Sequence, residues 1–209
     1  MKATEANLLE FIRKSPQFII PIYQRTYSWT EKECCQLWED ILRTGDNEDI
    51  SGHFIGSVVY IEKGLYQVSS QSSLLVIDGQ QRLTTITLLI AALANALEGK
   101  EEPFNGFSQK KLRHFYLINP LEEGEQQFKL ILSQTDKTSL IAIVEGTELP
   151  QEYSIRVKEN FKFFEQLIAR HQDDLATVCK GLAKLVTQVA SYYRDWSFRE
   201  SRVASGESK

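Results

Sequence analysis

The sequence predicts an α+β fold, a small mixed sheet with helices followed by a helical region, and three observations carry that expectation. The first is a strand–turn–helix element at residues 74–97, LLVIDGQQRLTTITLLIAALANAL. A short apolar run breaks at Asp78-Gly79 and continues as apolar residues at helical spacing. The second is a group of β-type runs starting at Phe18, His53 and Leu65. The third is a change from β-branched alternation to helical periodicity after about Ser108. The expected organisation is residues 1–107 around the turn, residues 108–193 as a helical region packed on them, and residues 194–209 as a frayed tail.

Taken in order, residues 4–14 read as a first helix with Leu8, Leu9, Phe11 and Ile12 as its apolar stripe. Phe18-Ile19-Ile20 reads as a strand stopped by Pro21, which lacks the N–H that a strand interior needs. Thr30-Glu31-Lys32-Glu33 is a capping box, in which hydroxyl and carboxylate satisfy each other's backbone donors. Cys34, Leu37, Trp38, Ile41 and Leu42 then form one face of an amphipathic helix ending near Gly45. Residues 46–49 are an acidic loop without EF-hand spacing.

Residues 53–62 read as a strand, Lys63-Gly64 as a turn into a strand at 65–68, and residues 69–73 as a link to the strand ending at Asp78. These runs suggest an antiparallel sheet beside the turn. In the helix from Gln80, so many positions are apolar that little of its surface can face water. Beyond Gly99 a basic stretch at 108–117 reads as a solvated face. An extended run at 128–132 and a short helix at 135–144 follow, then long helices at 151–171 and 173–192.

Composition sets limits. The chain has 209 residues, enough for a real core, and 42% hydrophobic with 11% aromatic content excludes a disordered chain. A net charge of −4 gives no global footprint for nucleic acid, so DNA contact has to be local. Cys34, Cys35 and Cys179 form no C-x-x-C pair and no metal-ligand spacing, and read as buried thiols. The charged, amphipathic N-terminus is no signal peptide, and residues 83–97 are too short and polar to span a bilayer. A cytoplasmic protein without a membrane partner is expected.

The turn itself offers chemistry. A helix N-terminus presents N–H groups without intrahelical partners and a positive dipole end, which suits phosphate. Gly79 permits close backbone approach, and Arg82 adds a planar cationic fork. The other reading of the turn is a helix capped by Asp78 with Arg82 in a surface ion pair. Arg25 reads either as a second phosphate ligand or as the partner of Glu31, Glu33 or Asp40. His53 is the one histidine near these motifs, either a ligand group or a structural hydrogen-bonding side chain. Arg25 and Arg82 each follow an apolar run where the chain turns towards a helix, so both are expected to face one pocket with Asp78 on its rim.

The string V-I-D-G-Q-Q-R-L-T-T with its apolar helix resembles the signature of the N-terminal domain of GmrSD-type restriction proteins, a branch of the ParB/sulfiredoxin-like superfamily. Two further stretches, FIIPIYQRTYSW from Phe18 and HFIGS from His53, match the same family in the same order. The resemblance covers roughly residues 8–168. It implies a ParB/sulfiredoxin-like fold and a domain that binds and hydrolyses nucleoside triphosphates in an anti-phage, modification-dependent restriction system. By this resemblance Tyr23, Gln24, Arg25, His53, Gly79 and Arg82 bind the nucleotide. Asp78, Gln80, Gln81 and Arg82 are the catalytic group, and Asp78 holds Mg²⁺ brought with the nucleotide.

Phosphoryl transfer to water needs little more than positioning and charge, so these residues suffice in kind: arginines against the phosphate, a carboxylate for the metal, a glutamine for the water. The same set can bind a nucleotide without hydrolysing it, and no P-loop sequence is present. Longer family members carry an F-E-x-L-N-x-x-G segment and often a C-terminal His-Asn-His nuclease domain. Neither is found here, which reads as an isolated N-terminal part acting with DNA or a separate nuclease subunit. The alternative function is a non-catalytic ParB-like module that binds DNA or a partner. A sulfiredoxin-like redox enzyme is disfavoured because Gln80 and Gln81 stand where a thiol is needed.

Overall fold

A computed structural model of the chain describes residues 2–62 and 73–191. The expected strand at 65–68, its turn and the tail from residue 194 lie outside the described residues. The fold is α+β, as the sequence predicts. Among the described residues six strands form one mixed sheet in the order β1-β6-β3-β4-β2-β5. They are β1 (Lys2–Asn7), β2 (Phe18–Ile19), β3 (His53–Glu62), β4 (Leu74–Asp78), β5 (Leu130–Ile131) and β6 (Leu185–Ser191). The helices are α1 (Leu8–Lys14), α2 (Glu31–Asp46), α3 (Gln80–Ala96), α4 (Gln109–Leu112), α5 (Gln134–Glu145), α6 (Ile155–Arg170) and α7 (Leu175–Ala183). No helix among the described residues is long and apolar enough to cross a membrane.

Helix α3 is the buried axis of the molecule. Every residue from Gln80 to Ala94 except Arg82 is buried, and α4, α5 and α6 pack around it. Its threonines fit this environment because Thr84, Thr85 and Thr87 each donate to the carbonyl four residues back, at 2.8 Å in all three cases. A buried hydroxyl left unbonded there would cost about 1–3 kcal/mol. The capping box of α2 forms as predicted. Glu33 accepts from the Thr30 backbone N–H at 2.7 Å, and the Thr30 hydroxyl accepts from Lys32 N–H.

Two segments differ from the sequence reading. The expected helix at 4–14 begins only at Leu8, and the residues before it form β1, antiparallel to β6. The expected helix at 173–192 stops at Ala183, and its second half is β6. Val186, Thr187 and Val189 are β-branched, and β6 lies between β1 and β3, where both of its edges are paired. Because β5 and β6 come from beyond residue 107, the two halves of the chain share one sheet and one hydrophobic core.

The cysteines divide by environment. Cys34 and Cys179 are fully buried, and burial pushes both thiols up to about 12. Cys35 is half-buried, with its thiol 3.4 Å from a Glu39 carboxylate oxygen. In native protein at about pH 8, iodoacetamide should modify Cys35 alone, and all three thiols should react in denaturant. Intact-mass and peptide analysis checks this, and native labelling of Cys34 at the rate of Cys35 would contradict the packing of α2.

Candidate functional site

The turn between β4 and α3 takes its shape from Gly79, which is the helix N-cap in the left-handed region at φ 95°. A Cβ here would lie 2.9 Å from the Ser57 carbonyl oxygen and 3.1 Å from Val58 Cα, so the turn and β3 meet backbone to backbone. No side chain among the described residues caps the helix. Asp78 is exposed, and its Oδ1 accepts from the Gly79 N–H at 2.8 Å.

Three glutamine amides fasten the loop at residues 20–30 to this turn. Gln24 Nε2 donates to the Ile77 carbonyl at 2.8 Å, and Gln80 Nε2 to the Arg25 carbonyl at 3.0 Å. Gln81 binds with both ends: Nε2 donates to the Thr26 carbonyl at 3.2 Å, and Oε1 accepts from the Ser28 and Trp29 N–H groups at 2.8 and 3.3 Å. The far side of the loop is held from the second half of the chain. Asp136, itself buried, accepts from the Tyr27 N–H at 2.6 Å. Asn160 Nδ2 donates to the Tyr27 hydroxyl and the Trp29 carbonyl at 2.8 and 2.9 Å. Burial drives the Tyr27 phenol far above its ordinary pKa, and its hydroxyl lies 2.7 Å from Thr85 Oγ1.

Beside the turn is a cleft of about 200 Å³, lined by Trp29, Glu33, Gln36, Asp40, His53, Phe54 and Arg82 among others. Arg82 is half-buried, and its Nη1 donates to the Ser57 carbonyl at 2.8 Å. It forms no ion pair among the described residues. The two carboxylates of the cleft are engaged elsewhere. Asp40 lies 2.7 Å from Arg43 Nη2 and 3.3 Å from His53 Nε2. Hydrogen bonds from the Thr30 hydroxyl and N–H hold the Glu33 carboxyl below its ordinary range.

The structure thus groups the expected site residues unevenly. Arg82 and His53 line one cleft, with Gly79 shaping the turn behind them. Arg25 and Tyr23 are exposed on the loop and do not line that cleft. Arg25 makes none of the ion pairs considered for it among the described residues. Gln24, Gln80 and Gln81 hold the loop. Among the described residues no group of three His, Cys, Asp or Glu side chains is placed to hold a metal. The single exposed carboxylate of Asp78 would give a magnesium ion one protein ligand, the others having to come from water and phosphate.

The chain matches the family model described as GmrSD restriction endonuclease, N-terminal domain, over residues 6–203. It belongs to this family. The match runs beyond the three motifs and takes in β5, α6, α7 and β6, so it covers both strands that the second half of the chain adds to the sheet. The domain is therefore part of a restriction system, the class of machinery directed at foreign DNA. No curated protein matches the chain.

Sequence reasoning missed Trp29, Gln36, Asp40 and Phe54 as cleft walls, and Asp136 and Asn160 as anchors of the loop. Gln36, Asp40, Asp136 and Asn160 have no local signature, since each acts across the fold, whereas Trp29 and Phe54 lie within the FIIPIYQRTYSW and HFIGS stretches. Gly56 did carry one, because a lone glycine within a β-branched run marks a bulge or a close approach.

The loop clamp can be tested by itself. Gln81→Leu removes one acceptor and one donor and leaves the Ser28 and Trp29 N–H groups and the Thr26 carbonyl unpaired. It should lower stability by about 1–3 kcal/mol and open residues 22–29 to proteolysis. Denaturant melts with limited proteolysis read both effects, and unchanged cleavage would mean that the loop is held without Gln81.

Proposed function

We propose that this GmrSD N-terminal domain binds a nucleoside triphosphate with its phosphates between Arg82 and the 78–82 turn, and hydrolyses it with Mg²⁺ to regulate its restriction system. The observation that carries the reading is Arg82, a half-buried arginine with one backbone hydrogen bond and no carboxylate partner among the described residues, set in a cleft beside an uncapped helix N-terminus. Such a guanidinium is available to an anion from outside the chain.

Size adds a constraint. Sites for drug-sized ligands run to about 300–1,000 Å³, so the cleft takes one part of a nucleotide and the rest extends along the turn. The exposed polar groups there are Asp78 on the turn and Tyr23 and Arg25 on the loop fastened to it. Arg82 neutralises phosphate charge in the ground state. Asp78 would hold the metal through its carboxylate, whose Oδ1 also accepts from the Gly79 N–H. Gln81 keeps the loop in place. Gln80 has an Oε1 without a protein partner among the described residues and is the amide able to orient a water. Bound Mg²⁺ supplies charge that stabilises the leaving oxygen.

One observation favours a second reading, in which the domain docks DNA or a nuclease subunit. Ile22 and Tyr23 are 75% and 69% exposed on a loop that is otherwise tightly fastened, with Arg25 exposed beside them. Salt-sensitive DNA binding lost on Arg25→Ala, with no response to nucleotide, would support it.

For the leading reading, Arg82→Ala should weaken nucleotide binding about ten- to a hundredfold, the loss of charged hydrogen bonds worth roughly 1.5–3 kcal/mol. Asp78→Asn should spare binding and lose Mg²⁺-dependent hydrolysis. Calorimetry and phosphate release on the wild type and both variants test this. Equal affinity in all three would reduce the turn to the start of a helix.

A further inference from the structure

Arg82 does not hold its place by its own contacts alone. Strand β3 pairs with β6 through Phe54 opposite Val186 and Ser57 opposite Gln188, so three steps on β3 match two on β6. The extra residue makes a bulge. At its centre Gly56 adopts φ 101°, a conformation that side chains disfavour. The Arg82 guanidinium lies flush against it. A Cβ on Gly56 would sit 2.7 Å from Arg82 Cζ, 2.7 Å from Nε and 2.9 Å from Nη2. The next carbonyl along, that of Ser57, accepts from Arg82 Nη1 at 2.8 Å. The bulge is itself pinned, because the buried Thr187 hydroxyl donates to the Gly56 carbonyl at 2.7 Å.

We infer that Gly56 is a positioning residue for Arg82: the β3 bulge, held by Thr187, is a cradle that sets the guanidinium plane at the mouth of the cleft. A side chain at residue 56 occupies that space, and the arginine is the flexible partner that has to leave. The strand would keep its pairing while the cation lost its aim. The effect on ligand binding rests on the nucleotide reading above. The effect on Arg82 itself does not.

The test uses the full chain labelled with ¹⁵N. The Arg82 Nε–H resonance, assigned by its loss in Arg82→Ala, reports the guanidinium's surroundings without any ligand. Calorimetry with the four Mg²⁺-nucleoside triphosphates reports binding. Gly56→Ala should fold, shift or broaden the Arg82 resonance, and weaken binding about tenfold or more. In the Arg82→Ala background the same change should have no further effect on affinity. An unmoved resonance with unchanged affinity, whatever happens to the melting temperature, would overturn the inference and leave Gly56 a purely structural turn residue.

Should the wild type bind no nucleotide, the proposed function fails and the resonance alone decides the role of Gly56. Should Gly56→Ala not fold, Thr187→Val takes its place. It frees the Gly56 carbonyl without adding bulk to the cradle, so the expected result is a shifted Arg82 resonance with a several-fold loss of affinity. A resonance identical to wild type in that variant would overturn the inference.

Discussion

The loop after β2 has no ladder or helix for most of its polar backbone, and the glutamine amides that meet that need hold the candidate site together. Backbone groups taken out of water have to be paired. Here the partners are side chains of the turn: Gln80 takes the Arg25 carbonyl, and Gln81 takes the Thr26 carbonyl with the Ser28 and Trp29 N–H groups. Gln24 returns the favour at the Ile77 carbonyl. Remove these bonds and Trp29, on the wall of the cleft, keeps only the Asn160 hydrogen bond to its carbonyl among those that fasten this end of the loop. The same residues that look like a catalytic polar cluster in one dimension are, in three, largely the fastening of a strap.

That fastening is why the second half of the chain matters to the site. Asp136 on α5 and Asn160 on α6 grip the same loop from the opposite side, through the Tyr27 N–H, the Tyr27 hydroxyl and the Trp29 carbonyl. Strand β6 supplies Thr187 beneath the β3 bulge. A site whose candidate residues run from Tyr23 to Arg82 is thus held in shape by residues beyond 130. The charges around the cleft follow the same logic. Asp40 and Glu33 already have partners in Arg43, His53 and Thr30, which leaves the cleft-lining Arg82 without a carboxylate partner among the described residues.

What could be read from the sequence was what local physics decides. The all-round apolar pattern after Gln80 meant a buried helix, and the Thr30–Glu33 box fixed the start of α2. The β-branched run from His53 meant a strand. Where tertiary pairing overrides propensity, the reading failed. Ala3, Glu5 and Ala6 favour helix in isolation, and only the antiparallel partner β6 makes them a strand. Leu182, Leu185, Val186 and Val189 fit helical spacing as well as they fit a helix that ends and a strand that begins. The turn at Asp78–Arg82 was legible as a place of interest, but its division was not. Which glutamine faces the loop, and which arginine faces the cleft, depends on where β3 and α2 come to lie.

In the proposed function a phosphate enters the cleft at Arg82, on the side of the turn that faces β3 and α2. The most direct measurement is a crystal structure of the domain with Mg²⁺ and a non-hydrolysable nucleoside triphosphate. In that complex phosphate oxygens should lie within hydrogen-bond distance of the Arg82 guanidinium, with the metal on Asp78 and the glutamine clamp intact. Phosphates bound elsewhere, with Arg82 still facing only the Ser57 carbonyl, would contradict it.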